Sequence, residues 1–200
     1  SYYSGATNMT VKVLFDPETG RLLGAQIVGF DGVDKRIDVL ATAIRAGMTG
    51  LDLTELELAY APPYGSAKDP VNMAGFVIEN VLTRTVRQFH WDEVDTLPRD
   101  GSVTLLDTRT DEEVTHGRIA GTVHIPLDSL RDRLGELDPK KPVYINCHSG
   151  LRSYIACRIL SQHGFTCYNL SGGWRFYDLV KRQQKLDTTP AHPCGLPIDG

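Results

Sequence analysis

Long apolar runs, an excess of charge of one sign and paired cysteines are all missing from this sequence of 200 residues. No apolar run is long enough to span a bilayer and no signal-like leader opens the chain, so we expect a soluble, cytoplasmic protein that binds no membrane. The chain has 21 Lys and Arg residues and 25 Asp and Glu residues, and neither half is basic. This balance excludes the basic surface that nucleic-acid-binding proteins use.

Cysteine is scarce, and no two cysteines form a Cys-x-x-Cys pair. All of them lie in the second half, at Cys147, Cys157, Cys167 and Cys194. This spacing predicts neither a disulfide scaffold nor a zinc site. The histidines show no ligand spacing either, so no metal is expected.

The sequence also lacks a Gly-x-Gly-x-x-Gly turn. Without this turn the chain is expected to bind no FAD or NAD(P)H by itself, because the turn holds the pyrophosphate of a dinucleotide. The chain begins at Ser1 instead of an initiator Met and enters strand-like sequence directly. We therefore expect a piece of a longer protein.

The first half has the pattern of an α+β unit. Strand-like composition at 9–15 and 22–28 surrounds a turn-forming segment, which predicts a β-hairpin. An amphipathic helix is expected to follow, with Asp34 as its N-cap and Gly47 as its end. A second helical pattern at 71–82 comes after a Pro-rich loop.

The second half alternates short Val- and Ile-rich runs with helical stretches, which is typical of an α/β domain with a mainly parallel sheet. Strands are expected at 103–106, 143–145 and 166–170. Helices are expected at 129–134, 152–163 and 174–185. The segment 186–200 has no periodicity and is expected to be an irregular tail.

The most informative segment runs from 143 to 153 (VYINCHSGLRS), where a strand ends at Cys147 and a helix begins a few residues later. Backbone N–H groups of such a loop and the positive end of the helix favour the thiolate form of the cysteine, which is the nucleophile. Gly150 permits the backbone turn and Arg152 adds a cation. The alternative is a buried structural cysteine, which needs neither of these residues.

This loop resembles the active-site loop of the rhodanese family of sulfurtransferases. The resemblance extends to the segments LLDTR at 105–109, GRIAGTVHIPL at 117–127 and LSGGW at 170–174. Arg118 replaces the usual His, Thr122 replaces the usual Ala, and the Trp follows the glycines directly. All of these departures lie outside the cysteine loop.

The resemblance implies that Cys147 accepts a sulfane sulfur as a persulfide and passes it to an acceptor, with Arg152 assisting. It implies that the rest of the loop cradles the persulfide, through residues His148, Ser149, Gly150, Leu151 and Ser153. Asp107 and Arg109 are expected to support the site or to pair with each other. A direct base or metal role for His148 is the less favoured interpretation.

Two rival functions stay open at this point. A phosphatase or arsenate reductase also uses a cysteine loop, but Cys147 and Arg152 are separated by four residues where phosphate-binding loops have five. A non-catalytic binding module would have no need of the cysteine, glycine and arginine together. Cys157 and Cys167 are expected to be packing residues, and Cys194 is a weaker candidate for resolving the persulfide.

The first half resembles the dimerisation domain of the pyridine nucleotide-disulfide oxidoreductases, with the coenzyme A disulfide reductase branch as the nearest match. The segments DGVDKRID at 31–38 and YAPPYGSAKDPVN at 60–72 carry this resemblance. It implies a homodimer through 1–87, followed by a rhodanese-like domain at 88–185.

The same resemblance implies a longer parent protein that uses FAD, NAD(P)H and coenzyme A and acts on small sulfur-containing substrates. Tyr60 and Tyr64 are the candidates for residues lent to the partner subunit's active site in that parent. The alternative is that both tyrosines only pack the Pro-rich loop.

Overall fold

The computed structural model describes residues 3–186, which divide into two compact units, one ending at Thr85 and the other beginning at Val86. Each unit has its own hydrophobic core. Within the described range, no helix has both the length and the apolar character that a membrane span requires. The predicted tail, from 187 onward, and Cys194 lie outside the described residues.

The first unit begins with the expected β-hairpin. Strand β1, Met9–Phe15, pairs antiparallel with β2, Leu22–Gly29. The Asp16 carboxylate closes the turn by accepting hydrogen bonds from the N–H groups of Glu18 and Thr19, as in an Asx-turn. Alternate residues of β1 are partly buried, so one face of the hairpin packs on the helices.

Three helices complete this unit: α1, Val33–Ala46; α2, Gly50–Glu55; and α3, Pro70–Leu82. Gly47 ends α1 as predicted, but the N-cap is Gly32 in the left-handed region, and Asp34 lies inside the first turn. The prediction of Asp34 as N-cap was therefore wrong. Gly32 reverses the chain so sharply that the helix starts one residue before Asp34.

Helix α2 has too few residues for a periodic pattern and was not predicted. Its start is a capping box in which Thr49 and Asp52 satisfy each other's backbone N–H groups. The helix packs tightly on α3, where a Cβ on Gly75 would lie 2.9 Å from the carbonyl oxygen of Gly50. These two glycines let the helices approach more closely than any side chain permits.

The second unit is built on a five-stranded sheet in which every pairing is parallel. Its strands are β3, Arg87–Phe89; β4, Thr104–Asp107; β5, Val123–His124; β6, Val143–Asn146; and β7, Cys167–Leu170. The order is β3-β7-β6-β4-β5, which places β6 at the centre. The predicted α+β unit followed by an α/β domain with a parallel sheet is confirmed.

Helices of the second unit are α4, Asp111–Thr115; α5, Leu151–Gln162; and α6, Gly173–Leu186. The helix predicted at 129–134 is wrong. Single 3₁₀ turns form at Leu127–Ser129 and Leu134–Glu136 instead. The leucines of this segment pack on the core, and their spacing of three and four residues imitates a helical face although the backbone makes separate tight turns.

The sheet is covered on both faces. Buried residues of β4 and β6, including Leu106 and Ile145, pack with α5 in the larger cluster. A second cluster joins Phe89 and Leu170 to partly buried aromatic residues, including Trp174 of α6. Because parallel strands end at one edge, the loops after β4, β5 and β6 meet there, where sites form in open α/β sheets.

Candidate active site

Cys147 follows directly after the central strand β6, and the loop from 148 to 150 leads into α5. The whole residue is 1% exposed. Gly150 precedes the helix with a φ of 110°, a conformation that other residues rarely adopt. The loop therefore turns within three residues and wraps around the thiol.

Two hydrogen-bond donors contact the sulfur. The backbone N–H of Gly150 lies 3.1 Å from Cys147 Sγ, and the hydroxyl of Ser153 lies 3.2 Å from it. Ser153 is fully buried on the first turn of α5. Both donors stabilise negative charge on sulfur more than they stabilise a neutral thiol. Gly150 and Ser153, both predicted for the loop, are thus brought to the sulfur.

Helix α6 approaches the same loop from the other side. The N–H of Trp174 donates to the Cys147 carbonyl at 2.8 Å, and the N–H of Arg175 donates to the His148 carbonyl at 2.9 Å. Gly173 makes this approach possible with a φ of 61°. A Cβ placed there would lie 2.7 Å from His148 O and 2.8 Å from Cys147 O.

The carbonyls of Asn146 and Gly150 also accept hydrogen bonds. The Asn146 carbonyl accepts hydrogen bonds from the N–H and the hydroxyl of Thr108, at 2.9 and 3.1 Å. The Gly150 carbonyl accepts from the N–H of Tyr154 at 3.0 Å and from Asn169 Nδ2 at 3.1 Å. Four carbonyl groups of the segment 146–150 thus have partners outside the loop.

Arg152 points to Glu113, the last residue of the capping box that starts α4. Both guanidinium arms donate to the carboxylate at 2.6 Å. This pairing lowers the pKa of Glu113 to about 2. The pKa of Arg152 is raised, chiefly by Glu113 and to a smaller degree by the nearby Cys147. The cation expected for the site is present, and it is held by a carboxylate.

The outer residues of the loop face solvent. His148, Ser149 and Leu151 are exposed. His148 Nδ1 lies 3.9 Å from Glu113 Oε1, beyond hydrogen-bond distance. These three side chains border the site, and the structure gives none of them a contact with the Cys147 sulfur.

Asp107 and Arg109 form a buried ion pair with two-pronged geometry, the shortest contact being 2.7 Å. Arg109 also donates to the Gly117 carbonyl at 2.8 Å, and its guanidinium lies 4.7 Å from the centre of the Trp174 ring. The pairing that the sequence left open is therefore present. It also connects the end of β4 to the start of α6.

Cys157 and Cys167 lie in the core of the second unit. The neighbouring Cys167 thiol and burial raise the pKa of Cys157. Both positions agree with the packing role expected from the sequence.

In the first unit, Tyr60 and Tyr64 are exposed on the Pro-rich loop. The loop is anchored by Arg36, which is buried, pairs with Asp69 at 2.8 Å and donates to the Tyr64 carbonyl at 3.1 Å. The two tyrosines are thus presented on a fixed loop.

Residues 3–186 offer no cluster of three or more His, Cys, Asp or Glu side chains that could hold a metal ion. The turn after β6 carries Cys147 and the loop described above, and the turn after β4 is filled by the Asp107–Arg109 pair.

The contacts of several supporting residues escaped sequence reasoning. Glu113 could have been recognised as a helix start from the pattern Thr110-x-x-Glu113, but its contact with Arg152 spans 39 residues. Thr108, Asn169 and Trp174 each donate to a backbone carbonyl of the segment 146–150, and a carbonyl acceptor leaves no signal in residue type.

Comparison with known families matches each unit separately. The rhodanese-like domain matches residues 90–178, and the dimerisation domain of the pyridine nucleotide-disulphide oxidoreductases matches residues 1–70. The coenzyme A disulfide reductase of Staphylococcus haemolyticus is 53% identical over 75 residues, which are 38% of this chain and 17% of that protein. That of Staphylococcus aureus strain RF122 is 46% identical over 76 residues, again 17% of its length.

Two solved structures resemble most of the chain. Reduced CoADR-RHD from Bacillus anthracis has a TM-score of 0.88 and 46% identity, over 91% of this chain and 32% of its own. An NAD-dependent persulfide reductase from A. fulgidus has a TM-score of 0.79 and 39% identity, over 88% of this chain and 31% of its own. The chain thus spans about a third or less of the length of these relatives. It contains a pyridine nucleotide-disulphide oxidoreductase dimerisation domain followed by a rhodanese-like domain, as the sequence motifs predicted.

Proposed function

We propose that the rhodanese-like domain transfers sulfane sulfur through a persulfide on Cys147. The observation that carries this proposal is the pair of donors on the sulfur, Gly150 N–H at 3.1 Å and Ser153 Oγ at 3.2 Å. A structural cysteine in an apolar core has no need of two donors. A nucleophilic cysteine needs them, because they favour the thiolate that attacks.

The proposed reaction has two displacement steps. The Cys147 thiolate attacks the outer sulfur of a donor persulfide or polysulfide, the sulfur–sulfur bond of the donor breaks, and the donor leaves as a thiolate. Cys147 then carries one additional sulfur. An acceptor thiolate attacks this outer sulfur, which becomes the acceptor's persulfide, and Cys147 leaves as a thiolate. Sulfur and charge balance in each step, and no external reductant is needed.

The role of the whole protein is a further part of the proposal. We infer that the chain belongs to an FAD- and NAD(P)H-dependent reductase of coenzyme A disulfide, persulfide or polysulfide, which agrees with the names of its relatives. The residues that hold the flavin and the nicotinamide lie outside this chain. Tyr60 and Tyr64 are proposed to reach the partner subunit's active site in that protein.

Mass spectrometry of the chain after incubation with polysulfide or thiosulfate tests the sulfur-transfer step. We expect one added sulfur atom on the peptide that contains Cys147, and sulfur delivery to cyanide. Cys147→Ser should eliminate both, whereas Cys157→Ser should retain them as the matched control. A Cys147→Ser variant with full activity would contradict the assignment.

The rival functions give different results in the same experiment. A non-catalytic binding module would gain no sulfur and would deliver none to cyanide. A phosphatase would instead hydrolyse p-nitrophenyl phosphate in a manner that depends on Cys147. We expect no such hydrolysis, because the loop between Cys147 and Arg152 is one residue shorter than in phosphate-binding loops.

A further inference from the structure

The carbonyl groups of the loop around Cys147 point outward, and this fixes the direction of the N–H groups in the same peptides. The carbonyls of residues 146, 147, 148 and 150 all accept hydrogen bonds from groups outside the loop. A trans peptide places its N–H opposite to its carbonyl, and the described residues contain no cis peptide. The N–H groups of residues 147, 148, 149 and 151 therefore point away from these outside partners.

Helix α6 holds the two carbonyls next to the sulfur. Trp174 N–H binds Cys147 O at 2.8 Å and Arg175 N–H binds His148 O at 2.9 Å. These peptide planes carry the N–H groups of residues 148 and 149. A rotation of either plane would turn a carbonyl dipole toward the thiolate, which the negative end of that dipole repels. The start of α6 opposes such a rotation.

The start of α6 is fixed by two features. Gly172 and Gly173 both have positive φ values, which bring the chain from β7 onto the loop within two residues. The Trp174 ring is stacked on Arg109, whose guanidinium is held by Asp107 and by the Gly117 carbonyl. The start of α6 thus packs against a buried ion pair at the end of β4.

We infer that Gly173 and Trp174 are positioning residues for Cys147. They act through the carbonyls of Cys147 and His148, whose hydrogen bonds to α6 fix the backbone that leads to the Gly150 N–H on the sulfur. The inference deepens the proposed function, because the N–H groups of this loop would meet the outer sulfur of a persulfide. Its first consequence concerns the reactivity of the thiol itself and does not require a sulfur donor.

The test compares two Gly→Ala variants of the whole chain. Gly173→Ala introduces a Cβ that would lie within 2.8 Å of both carbonyl oxygens. Gly101→Ala is the matched control, because Gly101 also has a positive φ, 84°, but has no atom within 4 Å of its Cβ position. Both variants carry similar backbone strain, and only one displaces the loop.

The readout is the rate at which iodoacetamide alkylates Cys147, measured at pH 7 and at pH 9.5. Gly173→Ala should slow alkylation at pH 7 by about tenfold, which is less than the roughly 100- to 1000-fold loss seen when a preorganised donor is removed, because the loop is displaced and its donors are still present. The loss should be smaller at pH 9.5, because a higher pH favours the thiolate form of any cysteine independently of its hydrogen bonds. Gly101→Ala should match the unaltered chain at both pH values.

Trp174→Leu provides a second variant in case Gly173→Ala fails to fold. It keeps the backbone N–H and the glycines but removes the stack on Arg109. We expect it to slow alkylation less than Gly173→Ala does, and again more at pH 7 than at pH 9.5. Equal rates in Trp174→Leu and the unaltered chain, or a loss that is the same at both pH values, would overturn the inference. If instead no sulfur donor loads Cys147 but the alkylation results hold, the proposed function fails and the positioning role stands.

Discussion

Glu113 accepts two hydrogen bonds of 2.6 Å from the guanidinium of Arg152. The two residues start different helices, α4 and α5, so their contact joins the loop after β4 to the loop after β6. The carboxylate is fixed by its own capping box. Arg152 is therefore held at a defined place beside Cys147, and it cannot swing freely toward solvent.

The Glu113–Arg152 pair predicts a pH dependence of stability. The folded pKa of Glu113 is about 2, below the ordinary value of 4.5. Its stabilisation is therefore fully present above about pH 4.5 and is lost as the pH falls toward 2. Glu113→Gln should lower the free energy of unfolding by ~1 kcal/mol at pH 7, a value discounted for partial exposure. Urea titrations should show that this difference shrinks below about pH 4.5 and disappears only near pH 2, and a difference that is independent of pH would contradict the assignment.

Arg152 is predicted to assist sulfur transfer by stabilising the anionic sulfur. Arg152→Ala should slow transfer from polysulfide to cyanide by ~10- to 1000-fold; the upper part of this range matches the roughly 100- to 1000-fold loss seen when one preorganised donor is removed. Arg152→Lys keeps the charge and should retain part of the rate. Fixed-time assays of thiocyanate formation measure the transfer rate of both variants. An unchanged rate in Arg152→Ala would mean that the backbone N–H groups suffice.

The Asp107–Arg109 pair is predicted to be essential for stability. Both side chains are buried, so Asp107→Asn leaves a guanidinium without its counter-charge, at a cost of about 3 kcal/mol or more. Thermal unfolding followed by circular dichroism should report a clearly lower midpoint. Glu136→Gln breaks the exposed pair with Arg133 and should change the midpoint little. Equal effects in the two variants would argue against a supporting role for the buried pair.

The first unit is predicted to form a two-fold dimer. Helix α3 exposes Met73 and Val77 one turn apart, and a unit of this size buries too little apolar surface by itself to leave such residues uncovered without a partner. Light scattering at micromolar concentration should report about twice the chain mass of 22.1 kDa. Val77→Asp should raise the dimer dissociation constant by at least about tenfold if α3 lies in the interface.

Leu179 provides the control for the dimer experiment, because it is an exposed apolar residue of α6 in the second unit. Leu179→Asp should leave the measured mass unchanged. A chain that is monomeric before any substitution would show that residues 1–87 do not suffice for dimerisation.

The sequence predicted the cysteine loop well because its signals are local. A strand that ends at Cys147, a glycine and a helix start are all readable from neighbouring residues. The helix placed at 129–134 failed for the same reason, since leucine spacing reports burial and not the hydrogen bonds of the backbone. Strands β3 and β5 have three and two residues, too few for any alternation to appear.

The contacts that hold the cysteine loop in place could not be predicted, for a different reason. Trp174 acts through its N–H and Asn146 through its carbonyl, and every residue except proline has both groups. The pairing of Glu113 with Arg152 depends on the strand order, which brings β4 beside β6. Residue type alone does not reveal which of several acidic side chains will meet that arginine.

The burial of Cys147 bears on which sulfur compounds can reach it. Only 1% of the residue is exposed, and the chain from His148 to Gly150 turns around the sulfur, so an incoming molecule has to approach close to this backbone. A terminal sulfur carries a single substituent and approaches such a backbone end-on. A dialkyl disulfide carries a carbon chain on both sulfurs, and one of those chains would have to occupy the space of the loop. We therefore expect Cys147 to react with compounds that end in a sulfur atom more readily than with dialkyl disulfides.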